Sequence, residues 1–199
     1  IDFSTGQVTL ITNSSIDTTI AAGNPVGADV TIGGILTDDG INLDLTIDAG
    51  TGGAINFSGV DAAGAVNINN LTISNAASFT AAGNLTLNDF ITNVEPYTVT
   101  MTGVANTFTQ AIDFRNTALV TLGDDAGDVF DFDAGLSFSQ DAPSAINATI
   151  LSSGAAINFG SGGVTVAGTT AIDTTNLGAE VAGADVSFGG SVSGPVTDL

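Results

Sequence analysis

The chain realigns on itself. Ile1-Asp-Phe-Ser-Thr-Gly-Gln-Val-Thr9 lies without a gap on Ile157-Asn-Phe-Gly-Ser-Gly-Gly-Val-Thr165, a shift of 156 residues. In the same register Ile16-Asp-Thr-Thr19 meets Ile172-Asp-Thr-Thr175, and Gly27-Ala-Asp-Val-Thr-Ile-Gly-Gly34 meets Gly183-Ala-Asp-Val-Ser-Phe-Gly-Gly190. Between residues 1–43 and 157–199, 16 of the 43 positions are identical. Self-similarity at a fixed period marks architectures built by stacking like units. The chain therefore reads as one unit, residues 1–156, followed without a linker by the start of the next, residues 157–199.

Within the unit, apolar and polar residues alternate with a period of two, the pattern of short half-buried strands. It appears in Val8-Thr-Leu-Ile11, Asp29-Val-Thr-Ile32, Ile41-Asn-Leu-Asp-Leu-Thr-Ile47, Val66-Asn-Ile68, Leu71-Thr-Ile73 and Leu85-Thr-Leu87. It continues in Tyr97-Thr-Val-Thr-Met101, Val120-Thr-Leu122, Val129-Phe-Asp-Phe132, Val164-Thr-Val166 and Val186-Ser-Phe188. Gly-rich breakers such as Ala49-Gly-Thr-Gly-Gly53, Gly123-Asp-Asp-Ala-Gly127 and Gly160-Ser-Gly-Gly163 separate the runs and suit tight corners. The Lys, Arg, Glu and Gln that normally clothe the wet face of a helix are nearly missing, so the chain is predicted to be all-β.

A finer echo selects the architecture. Ile-Asp/Asn-Phe recurs at Ile1, Ile55, Ile112 and Ile157, each time followed by a Val-led strand at Val8, Val66, Val120 or Val164. The spacings between these motifs are unequal. That pattern predicts coils of similar path whose corners carry insertions: a β-solenoid, or parallel β-helix in its right-handed form, with irregular coils of roughly twenty residues stacked about 4.8 Å apart. A series of β-sandwich repeat modules is the alternative. A parallel stack sets like positions over one another, so inward Val, Ile, Leu and Phe and outward Thr and Asn should each form ladders. Eleven Phe and no Trp suit an interior of stacked rings. Like charges in a ladder repel, so the acids are expected at corners such as Asp38-Asp39 and Asp124-Asp125.

The ionisable residues exclude much chemistry. Asp and Glu number 21 against a single base, Arg115, with no His and no Cys, for a formal charge of −20. One Arg cannot form the counterion-releasing footprint that a nucleic-acid phosphate backbone requires, nor a patch for anionic lipid. Imidazole and thiol catalysis, ordinary zinc sites and Schiff-base chemistry are absent with their residues. No apolar run approaches the ~20 residues of a membrane-spanning helix, so no membrane insertion by this segment is expected. Carboxylates, hydroxyls and amides remain, groups that bind hard cations or, as carboxylate pairs, cleave glycosides.

Gly-Ala-Asp-Val-Thr-Ile-Gly-Gly (27–34), Gly-Gly-Ala-Ile-Asn-Phe-Ser-Gly (52–59) and Ala-Gly-Asn-Leu-Thr-Leu-Asn (82–88) resemble the degenerate β-strand repeats of giant secreted bacterial proteins, the filamentous haemagglutinin-like and adhesin-type β-solenoids. The resemblance covers essentially the whole chain. It implies an extracellular or cell-surface, fibrous, non-enzymatic role in attachment, sheath or surface-layer formation. It carries over no site residue, because members of that group share none.

Individual residues sharpen this reading. Gly123-Asp-Asp-Ala-Gly-Asp-Val-Phe-Asp-Phe-Asp133 concentrates five carboxylates, and Asp124, Asp125 and Asp128 are the candidate ligands for Ca²⁺; the segment lacks the calcium β-roll nonapeptide and the EF-hand spacing, and a solvated corner leading into a strand with Phe130 and Phe132 inward is the simpler reading. Asp17 and Asp29 recur as Asp173 and Asp185, which points to corner capping by Asx-type hydrogen bonds. Two functions stand side by side. One is a structural segment of a long bacterial fibre, sheath or surface layer, requiring no cofactor and partnered by copies of itself, with divalent cations or surface glycans as further partners. The other is a carbohydrate-binding or carbohydrate-cleaving β-helix using Asp carboxylates. Neither Ile1 nor Leu199 lies in sequence that resembles a polar cap, so the native object is expected to continue beyond this chain.

Overall fold

The computed structural model describes residues 1–3, 6–19, 25–57, 66–180 and 182–194. Among these residues every regular element is a strand and no helix occurs. The chain winds coil upon coil. Its first coil holds β1 (Asp2–Phe3), β2 (Val8–Leu10) and β3 (Ser14–Asp17), and the next β4 (Val30–Ile32), β5 (Leu36–Asp38) and β6 (Leu45–Asp48). Two coils follow in which the second and third strands are fused: β7 (Ala54–Phe57) with β8 (Val66–Asn75), then β9 (Ser78–Ala81) with β10 (Leu85–Thr92). Then come β11 (Thr98–Met101), β12 (Ala105–Phe108) and β13 (Ile112–Asp113), followed by β14 (Val120–Leu122), β15 (Val129–Phe132) and β16 (Leu136–Ser137). The last are β17 (Ser144–Ile146), β18 (Thr149–Leu151) and β19 (Ile157–Asn158), β20 (Val164–Val166), β21 (Ala171–Asp173) and β22 (Val186–Ser187), and β23 (Val192–Ser193), which opens a further coil.

The strands pair in parallel along three faces, so the protein is a β-solenoid. The first face has nine strands in the order β1-β4-β7-β9-β11-β14-β17-β20-β23, and the second runs β2-β5-β8-β10-β12-β15-β18-β21. The third begins with β3 and β6, continues through the C-terminal halves of β8 and β10, where Leu45 pairs with Leu71 and Asn70 with Asp89, and proceeds β13-β16-β19-β22. β13 takes its place beside β10 by side-chain capping: the Arg115 N–H donates to Thr92 Oγ1 at 2.7 Å and Thr92 Oγ1 donates to the Asp113 carbonyl at 3.3 Å.

Register explains why these residues form these strands. On the first face Val30, Ile55, Phe79, Val99 and Val120 stand in line and are fully buried. One residue along, Thr31, Asn56, Thr80, Thr100 and Thr121 form the outward row. Each apolar residue thus buries itself twice, against the coil before and the coil after, while each hydroxyl stays wet. The rings form a continuous column: Phe57, Phe79, Phe90, Phe114, Phe138, Phe159 and Phe188 follow one another at centroid distances between 4.9 and 6.1 Å. A shorter stack joins Phe108 to Phe132 at 5.0 Å and Phe132 to Phe130 at 6.3 Å. Phe130 and Phe132 point inward, as the alternation predicts.

Three expectations need adjusting. Coils are irregular, as expected, but mostly longer than roughly twenty residues: Ser78 is covered by Thr98 after a short circuit, whereas Asp2 meets its partner only at Thr31. The Ile-x-Phe motif does not mark one face. Ile55-Asn-Phe57 runs through β7 on the first face, whereas Ile112-Asp-Phe114 enters β13 on the third, so the motif encodes a strand-and-corner cassette usable at either corner. The run Ile41–Ile47 is strand only from Leu45, because Asp38 accepts the N–H groups of Gly40 and Leu43 and Asn42 adopts φ 59°, closing a turn that leaves Ile41 exposed.

Thr92, Asn106 and Ser144 put polar side chains at inward strand positions. Asn106 sits in the buried row between Leu85 and Phe130, its Oδ1 accepting the Leu85 N–H and its Nδ2 donating to the carbonyls of Gly103 and Val129. Replacing Asn106 by Leu should lower unfolding free energy by about 2–3 kcal/mol, since those backbone groups would lose their partner in the dry interior. Phe114→Ala, which opens a gap in the middle of the ring column, should cost about 3–5 kcal/mol. Urea denaturation followed by far-UV circular dichroism measures both.

Candidate functional site

Corners hold most of the carboxylates, and there the acids act on their own backbone. Asp17 Oδ1 accepts from the Thr19 N–H at 2.7 Å and the Thr19 hydroxyl at 2.6 Å, and Asp173 Oδ1 accepts from the Thr175 N–H and hydroxyl at the same distances. These bonds favour the ionised form, so both carboxyls lie below the ordinary carboxylate range, with the Thr hydroxyl the larger cause. Asp141 is lowered likewise by the Ser161 N–H.

The candidate calcium corner is built in the same manner. Asp128 is buried and its Oδ2 accepts the N–H groups of Asp124 at 2.9 Å and Asp125 at 3.1 Å. Asp125 Oδ1 accepts the Gly127 N–H at 2.8 Å, and Asn147 of the following coil ties down the Asp124 carbonyl at 2.7 Å. Asp128 therefore turns inward under the loop while Asp124 and Asp125 face solvent. Among the described residues no group of three or more acidic side chains is gathered as a metal site requires; Asp124 and Asp125 are the two that a cation could reach from outside.

Among the described residues two acids, Asp131 and Asp89, lie in strand interiors instead of at strand ends or corners, and burial raises both carboxyls. Asp131 stands mid-strand in β15, in register with Thr107 and Leu151, and its Oδ1 is buried with no hydrogen-bond partner. Burial, followed by the negative charge of Asp133, pushes its carboxyl above the usual range. Asp89 lies within β10 where that strand rounds the corner, and burial raises its carboxyl too. Alternation alone marks Asp131 as outward between two inward Phe rings; its desolvation arises where the strand is covered by its neighbours, with Thr107 and Leu151 in register on either side, and has no signal in the local sequence.

Two surface clefts bear on binding. The larger, about 420 Å³, lies over the outward side of β8 and β10 under the loop after β5, lined by Asp38, Asn42, Asn67, Asn69, Asn88 and Thr109 among others. Its walls are tied together, with Asn88 Nδ2 donating to Asn70 Oδ1 at 3.0 Å and the Thr109 hydroxyl donating to Asn88 Oδ1 at 2.8 Å. Its one carboxylate, Asp38, is engaged at both oxygens by Gly40 and Leu43. The smaller, about 120 Å³, brings Asp89 and Asp113 together with Arg115. It is well below the ~300–1,000 Å³ of small-molecule sites. Asp113 is held there by the Ser137 hydroxyl and by the N–H and hydroxyl of Ser139. The single Tyr, Tyr97, is fully buried and donates its hydroxyl to the Ile73 carbonyl, so it offers no platform to a sugar. No family model matches the chain, and neither a curated protein nor a solved structure matches it.

The raised carboxyl of Asp131 has a measurable consequence. A group whose folded pKa is raised is ionised at neutral pH at a cost, and that cost is relieved as pH falls through the raised value. Asp131→Asn should therefore raise the melting temperature at pH 7, the gain shrinking on acidification and vanishing below the reference pKa of 3.8. Asp173→Asn should do the reverse: destabilise at pH 7, with the loss fading only as pH falls below 3.8 through the lowered folded pKa. Thermal melts across pH 2–8 distinguish the two.

Proposed function

We propose that this protein is a structural segment of a long repetitive extracellular fibre, sheath or surface layer of a bacterium, with a mechanical, covering or adhesive role and no reaction of its own. The observation that carries this reading is the recurrence of corner bonding from residues 1–34 in residues 157–190. Thr18 Oγ1 donates to the Ala28 carbonyl and accepts the Ala28 N–H at 3.1 and 2.9 Å, and Thr174 Oγ1 does so with Ala184 at 3.0 and 2.9 Å. A fold that restarts its own beginning in sequence and in bonding is suited to extension, and stacking units bury apolar faces that one unit leaves open. Carboxylates already committed to backbone N–H groups are poor candidates for acid–base chemistry.

An adhesive role would draw on the largely Asn- and Thr-lined cleft, whose amides and hydroxyls suit the hydroxyls of surface glycans. A formal charge of −20 per chain makes neighbouring fibres repel, so lateral packing would be eased by salt and by divalent cations at corners such as Asp124-Asp125.

Immunogold electron microscopy of intact cells, with serum raised against this chain, should label filaments or a surface layer; labelled compact particles, or label only inside the cell, would overturn the reading. Chelator and low salt should loosen side-by-side packing of the isolated material, and Asp124→Asn with Asp125→Asn should blunt the response to Ca²⁺. Unchanged packing under both treatments would remove cation bridging from the proposal.

A further inference from the structure

The described strands of residues 1–43 and their counterparts 156 residues later pair alike but do not occupy like places. β1 and β4 lie on the first face, whereas their counterparts β19 and β22 lie on the third. β2 and β5 lie on the second face, and their counterparts β20 and β23 on the first. Local geometry is nevertheless the same. Asp2 pairs with Thr31, and their counterparts Asn158 and Ser187 pair with each other; Thr9 pairs with Thr37, and their counterparts Thr165 and Ser193 do likewise. The circuit of chain between partners is thus equally long in both copies. A Cβ on Gly34 would stand 1.6 Å from the Gly6 carbonyl oxygen, and one on Gly190 2.3 Å from that of Gly162, so the same close backbone crossing requires glycine twice.

A shift of 156 residues therefore falls one face short of a whole number of coils. The ring column also passes from one face to another. It starts on the first face with Phe57 and Phe79, crosses the core to Phe90 on the third, and stays there through Phe114, Phe138, Phe159 and Phe188. Phe159 and Phe188 are the counterparts of Phe3 and Ile32 on the first face.

The same comparison shows what the two open edges of the solenoid fit. At one edge Ile1 is 52% and Phe3 41% exposed, while their counterparts Ile157 and Phe159 are fully buried beneath β16, where Phe138 stacks on Phe159. At the other edge Phe188 is 40% and Val192 53% exposed, while their counterparts Ile32 and Leu36 are buried under β7 and β8. Each open edge thus has a covered twin within the chain, and the twin names the cover.

The geometry points to both edges being docking surfaces for a further copy of this unit, in a fixed register that turns each successive copy by one face about the solenoid axis. The edge carrying Phe188 and Val192 takes residues equivalent to Leu45–Asn67, and the edge carrying Ile1 and Phe3 takes residues equivalent to Leu136–Leu151. After three copies the surface pattern returns to its starting face, so features such as the 123–133 corner are offered to every side in turn. That favours a free filament over a one-sided layer. The inference rests on the reading of the chain as a segment of a longer solenoid.

The test is a tandem protein: residues 1–199 intact, followed by a second copy of residues 44–199. The natural chain has no Cys, so an introduced pair reports alone. Ser187→Cys with Asn56→Cys in the appended copy should form a disulfide as readily as the control Thr31→Cys with Asn56→Cys inside the natural chain, a pair already in register. Ser193→Cys with the appended Asn56→Cys should not, because it joins only if the second copy keeps the orientation of the first. Amide exchange at 186–193 should slow at least about 100-fold in the tandem relative to the single chain. Cross-linking of the 193 pair, no cross-link at 187, or unchanged exchange at 186–193 each overturns the inference. Absence of filaments on cells would sink the functional reading alone, and a wrong register in the tandem would sink this one alone.

Discussion

Parallel pairing at constant register is the constraint on which everything else in this protein depends. Because Val30 stands over Ile55, and Ile55 over Phe79, no residue chooses its environment independently of its counterparts one coil away. Apolar rows gain from this, since each member is covered on two sides, and uncharged hydroxyl rows lose nothing. Charge is the case that loses. Asp17 and Asp48 do meet in register, yet each is drawn to its own corner, Asp17 by Thr19 and Asp48 by the Gly50 N–H. Thr, Asn and Gly cover the rest of the surface for the same reason.

Much of the fold is legible in the sequence, because alternation and repetition are both local signals. Strands rich in Val, Ile and Leu, such as β4, β11, β14 and β20, are readable from their own residues. Others are hidden. β12 carries Asn106 at an inward position and β17 begins with the buried Ser144, so the apolar–polar rhythm breaks where a polar group has a structural task or a small residue fills a tight place. β8 reads as two strands parted by Asn69-Asn70, but it passes from the second face to the third without interruption. Face assignment is invisible for a deeper reason: Ile55-Asn-Phe57 and Ile112-Asp-Phe114 encode the same local path, and only the accumulated lengths of all earlier corners decide where each lands.

The acidic corner divides similarly. That Asp124, Asp125 and Asp128 form a loop is evident from their Gly neighbours; that Asp128 folds beneath the loop to hold the N–H groups of the other two is a matter of three dimensions. The pKa directions then sort the acids without reference to function. Acids at strand ends and corners with hydrogen-bond donors, Asp17, Asp141 and Asp173, are lowered, and two in strand interiors, Asp89 and Asp131, are raised by burial. Asp131, with a buried unpartnered oxygen, is a place where this sequence gives up stability.

Coil length carries a mechanical meaning. Whether the circuit is short, as from Ser78 to Thr98, or long, as from Asp2 to Thr31, each coil stores a long run of chain in one step of the stack. Drawn straight at ~3.5 Å per residue, such a coil would span roughly 70–100 Å where it had occupied about 4.8 Å along the axis. The hydrogen bonds between coils lie along that axis, so an axial load peels the stack from its end one coil at a time. Were such coils joined in the proposed filament, each coil released would lengthen its stretch roughly fifteen- to twenty-fold, so a pull would be absorbed in small steps while the coils still wound remain intact.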